Sequence, residues 1–359
     1  MRIGAHVSVS GGVEKAIERE EDVGGNCGQI FAGSPRTWSV AEYDDEDVEA
    51  FREARAEAGQ SPYAVHSTYL VNLATPKDDL MEDSVDCLQQ ELYAAHALGA
   101  EYVVFHPGAH TGSGVESGLD RIADGVDALE IPDGTTLLFE NTAGKGTTLG
   151  KKFSQLREML DRTETPNDDL GVCIDTCHAH AGGYDLADGF DGVLEELDAE
   201  LGLEHVELLH LNDSKDPLGS EKDNHEHIGE GEISDEGFRN VVNADEFEEL
   251  PMVLETPTSD GKSYEENIER VRSLVRDPSE EDYAAEIRDG FGCSEGTASL
   301  VAEKAVGAIQ EYEGVDAKPE ELVELLRESE EGSVEERWNE LCGHWEFVSE
   351  PENKGEYKI

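Results

Sequence analysis

Six short apolar runs of the sequence end in side chains that can bind a metal ion: His66, His106, Glu140, Asp175, His210 and Glu255. As parallel strands of one barrel, the runs would bring these side chains to a single face, where enzymes of that architecture build their sites. So many acids and imidazoles would repel one another or become protonated, because only Lys145 and Lys215 are close in sequence as cations. Metal ions remove this conflict, since carboxylates and neutral imidazoles are their ligands. The pattern therefore predicts a metal site.

Two further segments offer ligands. Asp175 and His178 are three residues apart at a strand-to-helix turn, so both side chains can face one pocket. Asp223 and His225 are two residues apart, and in an extended segment they share a face. With His178 they would form a three-ligand site with an open position, as in catalytic zinc sites. Two histidines at the same spacing compete for these roles, His180 and His227. Because nine ligands are too many for one tetrahedral ion, we expect a multinuclear cluster.

The elements that must carry these residues alternate along the chain. The apolar runs are RIGAHVS, GQIFAG, YAVHS, YVVFHPG, TLLFENT, GVCIDTCH, VELLHLND and PMVLETP. Helical patterns lie between them at 46–58, 80–98, 115–129, 151–162, 190–200, 234–243 and 264–275. Such alternation implies parallel βαβ units, and eight of them predict an α/β fold of the (β/α)8 TIM-barrel type. A doubly wound sheet is the alternative, but AHVSVSGG after the first run is a poor phosphate-binding fingerprint.

The charge of the chain is strongly negative along its whole length. Its 359 residues include 84 Asp and Glu against 27 Lys and Arg, a formal net charge of −57. At low ionic strength this charge destabilises the folded state by self-repulsion, whereas in molar salt the Debye length falls to about 3 Å and the repulsion is screened. We therefore expect a halophilic protein of a salt-rich cytoplasm. An acidic surface that binds a protein partner is the alternative.

Three simple features limit the class of protein. No apolar run reaches the roughly 18 residues that a membrane span requires, so no membrane partner is expected. The start of the chain, MRIGAHVSVSGG, lacks the apolar segment of a secretory signal. The six cysteines contain no CxxC pair, which argues against a disulfide framework or a zinc ribbon. These features predict a cytoplasmic location.

Several long motifs resemble one family. They are HSTYLVNLATP, FHPGAH, FENTAGKGTTLG, CIDTCHAHAGGYDL, LHLNDSK, DNHEHIGEGEI and VLETP, and they resemble the endonuclease IV family of zinc-dependent apurinic/apyrimidinic (AP) endonucleases. The resemblance implies three Zn2+ ions on a barrel, with Mn2+ as an alternative at one site. The first ion would take His66, His106 and Glu140; the second would share Glu140 and add Asp175, His210 and Glu255; the third would take His178, Asp223 and His225.

The resemblance also implies the substrate and the reaction. Arg36 of FAGSPRTW would insert at the damaged site of duplex DNA, and Tyr69 and Leu70 of HSTYL would wedge the base stack. An abasic nucleotide is the least costly to flip out, which supplies selectivity without a base contact. Metal-activated hydroxide, oriented by Glu140, would cleave 5′ to the abasic site and leave 3′-hydroxyl and 5′-deoxyribose-phosphate ends, and the same site would trim blocked 3′ ends. A sugar isomerase or epimerase and a non-catalytic lesion-binding protein are the alternatives.

The end of the chain has no counterpart in this resemblance. DPSEED at 277–282 indicates a linker between a barrel domain at 1–276 and a small, mostly helical domain at 283–359. Helical patterns lie at 283–289, 297–312, 319–331 and 334–346. We expect this extension to dock on the barrel or to recruit a protein partner, and the protein to be a monomer.

Overall fold

Eight parallel strands close into a barrel in the computed structural model of the protein. The barrel strands are β1 (Arg2–His6), β2 (Cys27–Phe31), β3 (Tyr63–His66), β4 (Tyr102–Phe105), β5 (Thr136–Glu140), β6 (Leu170–Asp175), β7 (Val206–His210) and β10 (Pro251–Leu254). They pair in chain order, and β10 lies between β7 and β1. Two short strands, β8 (Asp213–Ser214) and β9 (His225–Glu226), form a separate antiparallel ribbon. The predicted TIM barrel is confirmed, and the doubly wound alternative is wrong.

The structure describes residues 1–258, 261–276, 279–311, 319–328, 334 and 337–338. Their contacts divide the chain into two units, Met1–Val275 and Arg276–Ile359. Among the helices described, none has the length and apolar character needed to cross a membrane.

Among its described residues, the first unit has nine α-helices between and after its strands. They are α1 (Lys15–Asp22), α2 (Asp45–Ala58), α3 (Asp78–Leu98), α4 (Val115–Asp127), α5 (Phe153–Arg162), α6 (Thr176–Gly182), α7 (Phe190–Glu200), α8 (Ser234–Val242) and α9 (Tyr264–Arg272). The sequence pattern predicts all of these except α1 and α6. Helix α1 lacks a long apolar stripe, because its buried face carries Glu20 beside Ala16 and Ile17. Helix α6 starts directly after β6, where the Asp175 side chain accepts a hydrogen bond from the His178 backbone N–H and caps the helix.

Side chains alternate between the two faces of each barrel strand. In β4, for example, Val103 and Phe105 pack in the large apolar cluster between the barrel and the helices, whereas Val104 packs in the interior of the barrel. The buried inner layer consists of Cys27, Ala64, Val104, Leu138, Cys173, Leu208 and Val253. The next inward position of each strand comes two residues later, at the C-terminal mouth of the barrel. We call this layer the apolar floor, because it lies directly beneath the side chains at the mouth of the barrel.

The second unit is helical in the residues that the structure describes. Its described helices are α10 (Glu280–Phe291), α11 (Glu295–Glu311) and α12 (Pro319–Glu328). They share an apolar cluster that includes Ile287, Val301, Leu322, Leu326 and Trp338. Because α10 begins at Glu280, the last three residues of the predicted 277–282 linker are helical. The helix predicted at 334–346 lies almost wholly outside the described residues.

Candidate metal centre

The six strand-end residues of the prediction occupy the inward positions just above the apolar floor. Each lies two residues after a floor residue of the same strand, as His106 does after Val104 and Glu140 after Leu138. All eight strands are parallel, so these positions meet at one mouth. The same rule applied to β1 and β2 yields His6 and Gln29, two residues after Gly4 and after Cys27. His6 and Gln29 were not among the predicted site residues. Counting two residues on from Gly4 and Cys27 along each strand would have identified both.

Nine side chains form three groups in which the ligand atoms lie within 4.8 Å of one another. The first group is His66, His106 and Glu140; the second is Glu140, Asp175, His210 and Glu255; the third is His178, Asp223 and His225. These are the three sets that the family resemblance implies. The structure therefore brings every predicted ligand together, and the binding of ions by these groups stays a prediction.

Glu140 joins the groups because its two carboxylate oxygens face different imidazoles. Its Oε2 lies 3.1 Å from His66 Nε2 and 2.9 Å from His106 Nε2. Its Oε1 lies 3.2 Å from His210 Nδ1 and also 3.2 Å from His178 Nδ1. Glu140 is fully buried at the end of β5. One rigidly held carboxylate thus touches residues of all three groups.

The third group lies between α6 and the ribbon. His178 Nε2 is 3.2 Å and His225 Nε2 is 3.3 Å from Asp223 Oδ1. His225 Nδ1 is 3.2 Å from the backbone carbonyl of Glu255, so this carbonyl can accept its proton and leave Nε2 free as a ligand. The buried Nε2 makes no hydrogen bond despite the nearby Asp223 oxygen. An unprotonated Nε2 of His225, with its lone pair directed at a bound cation, accounts for the missing hydrogen bond. The two imidazoles and the carboxylate of this group are donors that suit a metal ion.

The electrostatics of the protein without ions support the same fit. Burial alone would raise the pKa of Glu140, but the adjacent His106 and His210 imidazoles lower it well below its usual range. Burial would lower the pKa of His225, yet the carboxylates of Asp223 and Asp175 raise it to about 9. The Glu140 carboxylate is therefore ionised and available to bind a cation. Cys177 also lies within ligand distance of Asp175 and His225, but burial raises the pKa of its thiol to about 12.

One buried aspartate shapes the loop that carries Asp223 and His225. Asp213 in β8 accepts hydrogen bonds from the backbone N–H groups of Gly229, Gly231 and Ile233 at 2.9 to 3.0 Å. These bonds fold the segment after β9 back onto β8, which fixes the ribbon. Sequence reasoning did not single out Asp213, since a two-residue strand such as β8 has no recognisable sequence pattern.

The two competing histidines have other positions. His227 is buried and its Nδ1 lies 3.0 Å from the Asn267 side-chain nitrogen in α9. His180 is buried in α6, and burial lowers the pKa of its imidazole. Neither belongs to a ligand group among the residues that the structure describes.

The three residues predicted to contact DNA lie on two adjacent loops. Arg36 is exposed on the loop after β2, and Tyr69 and Leu70 follow β3. The backbone N–H of Tyr69 donates to the carbonyl of Pro35 at 3.2 Å, which ties the two loops together. Tyr69 is 62% exposed although its ring centroid lies only 6.0 Å from that of His66. An exposed aromatic ring therefore stands directly beside the ligand groups.

Comparisons with known proteins concern the barrel. The family model described as "Xylose isomerase-like TIM barrel" matches residues 17–274. A "Probable endonuclease 4" of Natronomonas pharaonis is 50% identical over 279 residues, 77% of this chain and 99% of that protein. Its counterpart in Halobacterium salinarum is 50% identical over 276 residues, 76% of this chain and 99% of that protein. The crystal structure of endonuclease IV from Thermus thermophilus superposes with a TM-score of 0.69 at 38% identity, covering 76% of this chain and 98% of that one.

Proposed function

The chain belongs to the endonuclease IV family, and on this premise we propose that it is a DNA-repair endonuclease that hydrolyses the phosphodiester 5′ to abasic sites in duplex DNA. The observation that carries the proposal is the arrangement around Glu140. Three groups of ligand atoms meet at this carboxylate, next to the exposed ring of Tyr69. A metal centre is thus combined with an aromatic surface that can contact an unstacked nucleotide.

The ligand groups suit Zn2+ because they consist of imidazole nitrogens and carboxylate oxygens. We propose three Zn2+ ions, one for each group, with Mn2+ as an alternative at one of them. Bound ions of this kind lower the pKa of a water toward neutrality and offset the negative charge of a phosphodiester. No serine, cysteine or lysine nucleophile is required for such a hydrolysis.

The protein's own contribution begins with Glu140. Its carboxylate oxygens are fixed by imidazoles on two sides, so the side chain has a single orientation at the centre of the site. We assign Glu140 as the catalytic residue that orients the attacking water in line with the scissile bond. Attack at phosphorus with release of the 3′ oxygen would give a 3′-hydroxyl and a 5′-deoxyribose phosphate. The same geometry would also trim blocked 3′ ends.

Recognition of the lesion is assigned to the two loops joined through Pro35 and Tyr69. Tyr69 and the half-buried Leu70 would enter the base stack and favour a kinked duplex. The exposed Arg36 is available to fill the space that the flipped nucleotide leaves. Because an abasic nucleotide has no stacking or pairing to lose, it is flipped at the lowest cost, and selectivity follows.

The alternatives account for less of the site. A sugar isomerase or epimerase with one or two ions would leave His178, Asp223 and His225 without a role. A non-catalytic lesion-binding protein has no need of a complete ligand set around Glu140. We further propose that the enzyme is a cytoplasmic monomer and that its second, helical unit recruits a protein partner.

The test is incision of a duplex oligonucleotide with a single tetrahydrofuran abasic analogue, in molar KCl, with and without chelator. We expect chelator-sensitive cleavage 5′ to the analogue and no cleavage of the matched undamaged duplex. Three ions per chain without any cleavage would refute the endonuclease proposal in favour of a lesion-binding protein. One or two ions without cleavage would instead favour the isomerase.

A further inference from the structure

Gln29 contacts two ligands of the second group without being a ligand itself. It lies in β2 and is fully buried at the inward position above Cys27. Its Oε1 lies 2.9 Å from His210 Nε2, and its Nε2 lies 2.7 Å from Glu255 Oε1. A single side-chain amide therefore spans the imidazole and the carboxylate that face each other across the second group.

The chemistry of the partners permits only one arrangement of this amide. A carboxylate only accepts hydrogen bonds, so the NH2 group of Gln29 must face Glu255. Its carbonyl oxygen then faces His210, and because a carbonyl cannot donate, His210 Nε2 must carry the proton. His6 Nδ1 lies 3.0 Å from the same amide nitrogen and also 3.0 Å from Glu255 Oε1, so an N–H at this position donates to the carboxylate oxygen that Gln29 holds.

The consequence is a fixed tautomer for His210. With its proton on Nε2, the imidazole presents an unprotonated Nδ1 to the interior of the group, 3.2 Å from Glu140 Oε1 and 3.6 Å from Glu255 Oε2. Glu255 is held through Oε1, which leaves Oε2 directed toward the same point. The amide thus selects the atom that each of two ligands offers to an ion.

We propose that Gln29 is a positioning residue that sets the His210 tautomer and the Glu255 orientation for the second ion, an inference that rests on the proposed metal centre. Hydrogen bonds to metal ligands of this kind change metal affinity by about 10- to 100-fold when they are removed. Gln29 therefore strengthens the binding of one ion of the three without touching it.

The experiment measures ions rather than cleavage. The variant Gln29→Met keeps the size and burial of the side chain but removes both hydrogen bonds. Gln60→Met is the matched control, since Gln60 is also buried but donates to the backbone carbonyl of Ile17, away from the ligands. Zinc per chain is measured during titration with a chelator of known affinity, and melting in excess chelator reports folding of the apo forms.

We expect Gln29→Met to lose one ion at a chelator concentration about 10- to 100-fold lower than the wild type, with the other two retained. Gln60→Met should lose its ions as the wild type does. Equal retention of three ions by wild type and Gln29→Met overturns the inference. A wild type that binds no ion overturns the metal centre and the inference together. Three tightly bound ions without DNA cleavage refute only the endonuclease activity.

A second measurement needs no variant that has to fold. In 15N-labelled wild-type protein loaded with zinc, the His210 side chain should appear as the Nε2–H tautomer, with its proton coupled to Nε2. A proton on Nδ1 of His210 contradicts the arrangement and overturns the proposal.

Discussion

We expect a buried glutamate beneath the loop that carries Tyr69 to make the stability of the protein depend on pH. Glu91 lies in α3, only 3% exposed, and its Oε1 accepts a hydrogen bond of 2.9 Å from the backbone N–H of Thr68, the residue before Tyr69. Burial raises the pKa of this carboxyl from its usual 4.5 to about 7. We predict that Glu91→Gln removes a pH-dependent destabilisation without releasing the loop, because a glutamine oxygen also accepts the Thr68 N–H.

The sign follows from proton uptake in the two states. Since the pKa is higher in the folded protein, the folded state holds the proton while the unfolded chain is already ionised, so stability falls as pH rises from 4.5 through 7. Between about pH 5.5 and about pH 8.5, stability is lost only over the roughly 1.5 pH units below the folded pKa of about 7. At about 1.4 kcal/mol per unit, the free energy of unfolding falls by about 2 kcal/mol. The glutamine variant lacks this cost. Its free energy of unfolding relative to wild type should therefore rise by about 2 kcal/mol across that interval.

The assay is urea denaturation of both proteins at several pH values in molar KCl with a fixed concentration of zinc. Glu82→Gln is the control, because Glu82 lies on the exposed face of the same helix and its replacement removes one charge without a buried cost. Its difference from wild type should stay constant within about 0.5 kcal/mol. A constant difference for Glu91→Gln as well would show that burial of Glu91 does not perturb its ionisation, and the reasoning would be refuted.

Three more perturbations test the site. His106→Ala should lower incision of the abasic duplex by more than about 100-fold in a metal-defined buffer, because it removes an imidazole 2.9 Å from Glu140. His96→Ala is the control: His96 lies on the exposed face of α3, and its replacement should leave incision unchanged. Tyr69→Ala should weaken binding of the abasic duplex, measured by fluorescence anisotropy, by about tenfold through lost stacking, with the zinc content unchanged. Asp213→Ala should lower the free energy of unfolding by about 2–4 kcal/mol and release the third ion first, because buried N–H groups lose their acceptor.

Each of these expectations has a contrary result. Undiminished incision by His106→Ala would remove that imidazole from the metal centre. A loss of zinc in Tyr69→Ala would assign its effect to the ligands rather than to DNA. Unchanged zinc retention by Asp213→Ala would show that the ribbon is fixed by other contacts.

Much of the fold follows from local pattern. The eight strands are buried on both faces and read as short apolar runs, so their existence and order could be predicted, as could the seven longer helices. Helix α1 could not, because Glu20 on its buried side interrupts the apolar pattern. The helical start of α10 within DPSEED could not be predicted either, because acidic residues favour the first turn of a helix as readily as a loop.

Local pattern in the sequence is sufficient to predict which side chains meet at the barrel mouth. Period-two alternation along parallel strands brings His66, His106 and Glu140 to one layer, and this rule is local. The closed fold settles what this alternation leaves open. It directed His225 rather than His227 to His178, because Asn267 of α9 and the bonds to Asp213 fix the ribbon. It also joined Gln29 to His210 and Glu255, since hydrogen bonds across 181 and 226 residues exist only once the barrel has closed.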